Sequence, residues 1–166
     1  MDKRKCTYSQ TVIPAITGLE VSGDNTYACM LSHVKALQTA INKGLECVLI
    51  VEDDIDLEND FSFMLNFVIE LLPDNWDALF LTEGYDQTDV PIHSEYRKIK
   101  GTWGAYAYVV KYTVFDYFIR ELLKRKQPTD TTYRQLQAHI SCFKPNIELV
   151  KHLDGYSERM AANARY

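Results

Sequence analysis

The sequence predicts a three-layer α/β fold, and three observations carry that prediction. The run Cys47–Val51 is an unbroken stretch of β-formers of strand length, the pattern of a strand covered on both faces in a parallel sheet. Apolar residues at helical spacing flank it on both sides, and strand-like and helical pieces keep alternating to the end of the chain. With 166 residues, 46% of them hydrophobic and 25% charged, the chain has enough material for one core and reads as a single domain over 1–166.

Taken in order, Thr11–Ile16 forms a short β-like piece broken by Pro14 and closed by Gly18, with a further turn at Ser22–Gly23. Asp24 or Asn25 caps a helix whose apolar face is Met30, Val34, Leu37 and Ile41, and Gly44 ends it. Cys47–Val51 follows as a central strand. Asp60 caps a second helix with Met64, Phe67, Val68 and Leu71 on one face, and Pro73 stops it. Trp76 introduces a strand at Ala78–Thr82. Residues 83–97, with Gly84, Asp86, Asp89 and Pro91, have turn composition and are expected to be a long loop. Gly101–Lys111 then reads as a strand after a glycine turn. Val114, Tyr117, Phe118 and Leu122 mark another helix that ends in a basic KRK, where positive charge complements the helix C-terminus. Gln127–Pro128 breaks the pattern, and Thr129 or Asp130 caps a helix through Tyr133, Leu136 and Ile140. The last strand, Ile147–Val150, leads into a polar tail with His152, Asp154 and Ser157.

Composition narrows the function. A net charge of -5 argues against a nucleic-acid partner, because phosphate contacts require a basic surface. No apolar stretch approaches the roughly 18 residues of a membrane-spanning helix, and MDKRKCTYSQ lacks the apolar centre of a signal peptide. Cys6, Cys29, Cys47 and Cys142 are widely spaced with no CxxC pair. Buried free thiols are favoured over a disulfide framework or a zinc site, and a reducing, cytoplasmic setting is expected, in a bacterium or a virally infected host.

Glu52, Asp53 and Asp54 end the apolar run, at the strand edge where open α/β sheets place ligands. Three adjacent carboxylates repel one another unless water or a cation neutralises them. A hard divalent ion, Mg²⁺ or Mn²⁺, is the natural occupant. A solvated acidic loop is the plain alternative, and the same local pattern occurs in phosphatases, nucleases and nucleotide-binding enzymes.

The ordered set ACMLSHVKALQTA, LIVEDDIDL, WDALFL, GTWGAYAYVV, PTD and KPNIELVKHLDGYS resembles glycosyltransferase family 25, the lipopolysaccharide-type group that includes the collagen galactosyltransferases. The resemblance runs from about Ala28 to Ser157. It implies a Rossmann-like nucleotide-sugar transferase domain of GT-A type, a UDP-sugar donor carrying galactose or glucose, Mn²⁺ or Mg²⁺, and inversion at the anomeric carbon. The acceptor it implies is a hydroxyl on a glycan, a lipid-linked saccharide or a hydroxylated protein side chain.

The same resemblance assigns roles. Glu52, Asp53 and Asp54 match the acidic motif that holds the metal at the donor diphosphate, with Asp54 the first choice for direct contact and Asp53 and Glu52 in support. His152 is the matching distal ligand, with Asp154 second. Asp130 matches the family's aspartate at a helix start and is the candidate general base, against the simpler role of a helix cap. Ser32 and His33 match the LSH motif, which would touch donor phosphate or instead brace the acidic strand end. Gly101, Thr102 and Gly104 would let the backbone approach a sugar, or form a tight turn. Tyr106 and Tyr108 are expected as half-buried packing residues, and Glu83 stands at a predicted ligand edge. Family members usually begin with an additional strand and helix that help to hold the nucleotide base, and Met1–Leu31 leaves little room for that unit before Ser32. A catalytically silent binding module of this fold is therefore the rival reading. A metal-dependent phosphohydrolase is the third, weakened by the absence of a DxDx[TV] nucleophile loop.

Overall fold

The structure is a computed structural model that describes residues 13–82, 90–124 and 127–153. A short 3-10 helix, Gly18–Val21, stands where a β-like piece was expected to close. It leads through Ser22 and Gly23, both at positive φ, into helix α1, Asn25–Asn42. The Asp24 side chain accepts a hydrogen bond from the Tyr27 N–H at 2.9 Å and so caps α1 as expected. Met30, Val34, Leu37 and Ala40 form its buried stripe, while Ile41 turns outward, 42% exposed.

Strand β1, Cys47–Val51, and the short β2, Ile55–Leu57, flank the acidic turn. Helix α2, Phe61–Leu71, buries Phe61, Leu65, Val68 and Ile69. Its inward face is rotated from the one expected, and Phe67 is exposed. Strand β3, Ala78–Phe80, is wholly buried. The expected long loop at 83–97 is corrected in its second half, where β4, Val90–Pro91, and β5, Tyr96–Ile99, form a hairpin. Tyr96 and Ile99 are buried on opposite faces of the sheet with Arg97 and Lys98 between them, so no apolar alternation marks this strand in the sequence. Asn146 holds the connection by donating from Nδ2 to the carbonyls of His93 and Ser94.

The strand expected over Gly101–Lys111 is confined to β6, Ala107–Lys111. A second 3-10 turn, Tyr112–Val114, runs into α3, Phe115–Lys124. Helix α4, Thr129–Leu136, is shorter than expected and takes Pro128 at its N-cap, so Asp130 lies inside the first turn and is not the cap. The C-terminal part contains two strands, β7 at Cys142–Pro145 and β8 at Val150–His152, in place of one at Ile147–Val150.

Six strands make a mixed sheet in the order β1-β6-β3-β7-β5-β4, and β2 pairs with β8 in a small separate sheet. Only β3 and β7 are parallel among the six. The central parallel position expected for Cys47–Val51 is thus corrected: among the described residues β1 is an edge strand, antiparallel to β6 and half-buried. Its continuous hydrophobicity reflects cover from helices above and below rather than strands on both sides. That cover gives three layers. Val48, Ile50, Ala78, Phe80, Tyr108 and Val110 face α1, α3 and α4. Leu49, Leu79, Leu81, Ala107, Val109 and Phe143 face α2. The alternation follows the two-residue period of each strand.

The cysteine reading is corrected at one position. Cys47 is disulfide-bonded, while Cys29 and Cys142 are not. No described helix is long and apolar enough to cross a membrane.

Candidate active site at the acidic edge of the sheet

Because β1 and β3 both run antiparallel to β6, their C-terminal ends share an edge with the start of β6, and β7, parallel to β3, ends there too. The acidic turn, Thr82 and the irregular loop 101–106 therefore meet at one rim. The Glu52 N–H donates to the Tyr106 carbonyl at 2.8 Å and stitches the turn to that loop. On the other side the Leu153 N–H donates to the Asp54 carbonyl at 2.9 Å, and Ile55 stands opposite His152 in the β2–β8 ladder. The backbone at His152 is thus brought beside the acidic turn from a hundred residues away. Asp154 and Glu83 lie outside the described residues.

The three carboxylates do not act as one group. Asp53 is exposed and Asp54 half-buried, whereas Glu52 turns inward to His33, with Oε1 at 3.1 Å from Nε2. His33 is 4% exposed, and its Nδ1 lies 3.0 Å from the Tyr108 hydroxyl, itself 2.6 Å from that of Tyr133. The imidazole stacks on the Tyr108 ring and meets Tyr133 edge-on. Burial alone pushes the imidazole's pKa down, but hydrogen bonds with Cys29 and Glu52 outweigh it and hold the value up at about 9. Burial drives both tyrosine hydroxyls upward, so they stay neutral donors and acceptors.

Cys29 sits one helical turn before His33 on α1, and its Sγ is 3.7 Å from the Thr129 hydroxyl at the start of α4. That contact and the Tyr133 link press the first turn of α4, with half-buried Asp130, against the His33 side of α1. Asp130 is also close enough to Tyr133 to raise the phenol's pKa.

Ser32 is used differently. Its hydroxyl donates to the Ala28 carbonyl at 3.0 Å and accepts from the Ile16 N–H at 2.8 Å, which pins the N-terminal segment to α1. Thr102 is buried, and Gln137 clamps its backbone: the Thr102 N–H donates to Oε1 at 2.7 Å and its carbonyl accepts from Nε2 at 3.0 Å. Arg134 donates to the Gly101 carbonyl at 2.7 Å and lays its guanidinium over the Trp103 ring at 4.6 Å. Gly104 adopts φ +97, and a Cβ there would stand 2.9 Å from Thr82 Cγ2, so only glycine lets the loop close on β3.

Sequence reasoning missed the hydroxyl pair of Tyr108 and Tyr133, the Gln137 clamp and Cys29. The Cys29–His33 spacing of four on a helix was the available signal; the tyrosine contacts depend on how α4 packs, which no local spacing encodes.

No curated protein matches the chain. The model of glycosyltransferase family 25, described as an LPS biosynthesis protein, matches residues 20–133, the stretch that contains α1, the acidic turn, loop 101–106 and the first turn of α4. Since that match spans more than half of the 166 residues, this chain belongs to glycosyltransferase family 25.

Proposed function

We propose that this glycosyltransferase moves a hexose, galactose or glucose, from a UDP-sugar to an acceptor hydroxyl with inversion, using a GT-A-type arrangement and a hard divalent ion. The observation that carries the reading is the pairing of β8 with β2, which walls the acidic turn with the segment holding His152. Acceptors in view are a glycan, a lipid-linked saccharide or a hydroxylated protein side chain.

The donor chemistry of the rim suits the ion. Asp53 and Asp54 offer hard oxygen atoms, accessible at the exposed Asp53, and would hold Mn²⁺ or Mg²⁺ together with His152. When bound, the ion supplies positive charge at the leaving diphosphate. Glu52, engaged with His33, fixes the direction in which the turn leaves β1.

Asp130 takes the proton from the acceptor hydroxyl as its oxygen bonds to the anomeric carbon and the bond from that carbon to the UDP oxygen breaks on the opposite face. Its place in the first turn of α4, half-buried and near Tyr133, sets the carboxylate on the side of that helix that meets α1. Loop 101–104, held by Arg134 and Gln137, offers backbone and the exposed Trp103 face to a sugar.

The test is a UDP titration with and without Mn²⁺. Metal-dependent binding that disappears in Asp54→Ala supports the transferase reading. A protein that binds UDP under neither condition is the silent module instead.

A further inference from the structure

We propose that Cys29, His33 and Glu52 form a zinc site, distinct from the hard-ion site of the acidic turn. The Sγ, a ring nitrogen and a carboxylate oxygen of these three residues lie within 4.8 Å of one another. Around tetrahedral Zn²⁺, with bonds of about 2.0–2.3 Å, neighbouring ligand atoms are roughly 3.3–3.6 Å apart. The 3.1 Å between Nε2 and Oε1 is already near that spacing, and small side-chain rotations would close the set.

Two elements fix the ligands without help from an ion. Cys29 and His33 project from successive turns of α1, and Glu52 leaves the end of β1, tied to Tyr106 through its N–H. The surroundings also have the form of an outer shell. The Tyr108 hydroxyl stands 3.0 Å from Nδ1, which leaves Nε2 as the metal-facing nitrogen, and Tyr133 anchors Tyr108 in turn. The Thr129 hydroxyl, at 3.7 Å, can donate to a thiolate. Sulfur with imidazole and one carboxylate selects Zn²⁺ over Mn²⁺ or Mg²⁺, which prefer oxygen alone. Cys29 and Glu52 are only part-buried, so an ion has a way in and a water can take the fourth position.

The proposal does not rest on the transferase reading. Its test is titration of the full chain with Co²⁺ as a spectroscopic stand-in for zinc, followed by displacement with Zn²⁺. The expected result is a thiolate-to-cobalt charge-transfer band that saturates at one equivalent of sulfur-bound Co²⁺ and that Cys29→Ser abolishes. Tyr108→Phe should weaken binding about 10–100-fold. Asp53→Asn with Asp54→Asn should leave the band intact while removing Mn²⁺-dependent UDP binding, which separates the two sites. No thiolate band in the parent protein, a band that survives Cys29→Ser, or a band lost with the two aspartates overturns the proposal.

Discussion

His33 Nε2 and Glu52 Oε1 face each other at 3.1 Å, joining the middle of α1 to the first residue beyond β1. The imidazole is buried and the carboxylate 29% exposed, so the pair holds the acidic turn against the helix layer in a partly water-shielded place.

Removing the carboxylate should therefore do more than delete a contact. Glu52→Ala leaves the imidazole without its acidic partner, and the expected loss of stability is on the order of 3 kcal/mol, read as a lower urea midpoint at unchanged slope.

In the metal-free protein the same pair predicts a pH dependence. The folded-state pKa of His33, about 9, lies above the 6.5 of a free imidazole. A raised value means that the folded form binds the proton more tightly, so the contribution is complete below pH 6.5 and drains away as pH rises to about 9. Urea midpoints should fall across that window, and His33→Gln should flatten the fall.

Asp130 offers a separation of roles. Asp130→Asn keeps the size of the side chain at its half-buried place in the first turn of α4 and removes only the charge, so the fold should be retained, with a stability loss of about 1 kcal/mol. Turnover should drop by about 10²–10⁴-fold with UDP affinity retained, measured by transfer assay and UDP titration in parallel.

Two neighbours at the rim should respond in opposite directions. Gly104→Ala drives a Cβ into Thr82 at positive φ and should cost on the order of 1–3 kcal/mol. The Thr82 hydroxyl is buried with no hydrogen-bond partner among the described residues, so Thr82→Val should be neutral or stabilising. Thermal melts of both variants check the pair.

What could be read in advance followed from local chemistry. The Asp24 cap, the ends of α1 and the extent of β1 were legible because a side-chain acceptor, a glycine and a β-branched run each act within a few residues. The neighbours of β1 were not, since an edge strand shielded by helices has the same hydrophobic run as a central one. At the site, the acidic triplet was visible, but not that Glu52 would leave it for His33. That choice depends on a helix whose His33 stands 19 residues upstream arriving at the right depth, and β5 and β7 likewise depend on pairing between Tyr96–Ile99 and Cys142–Pro145.

The ladder that sets Ile55 against His152 also fixes when the rim can exist. During synthesis the acidic turn emerges early, yet its wall is made almost a hundred residues later, and closing so long a loop is slow. A ribosome-bound chain stopped short of Val150 would already contain most of the buried interior and still lack the strand that flanks the acidic turn. Maturation of the rim is thereby tied to synthesis of the β8 segment rather than to collapse of the centre.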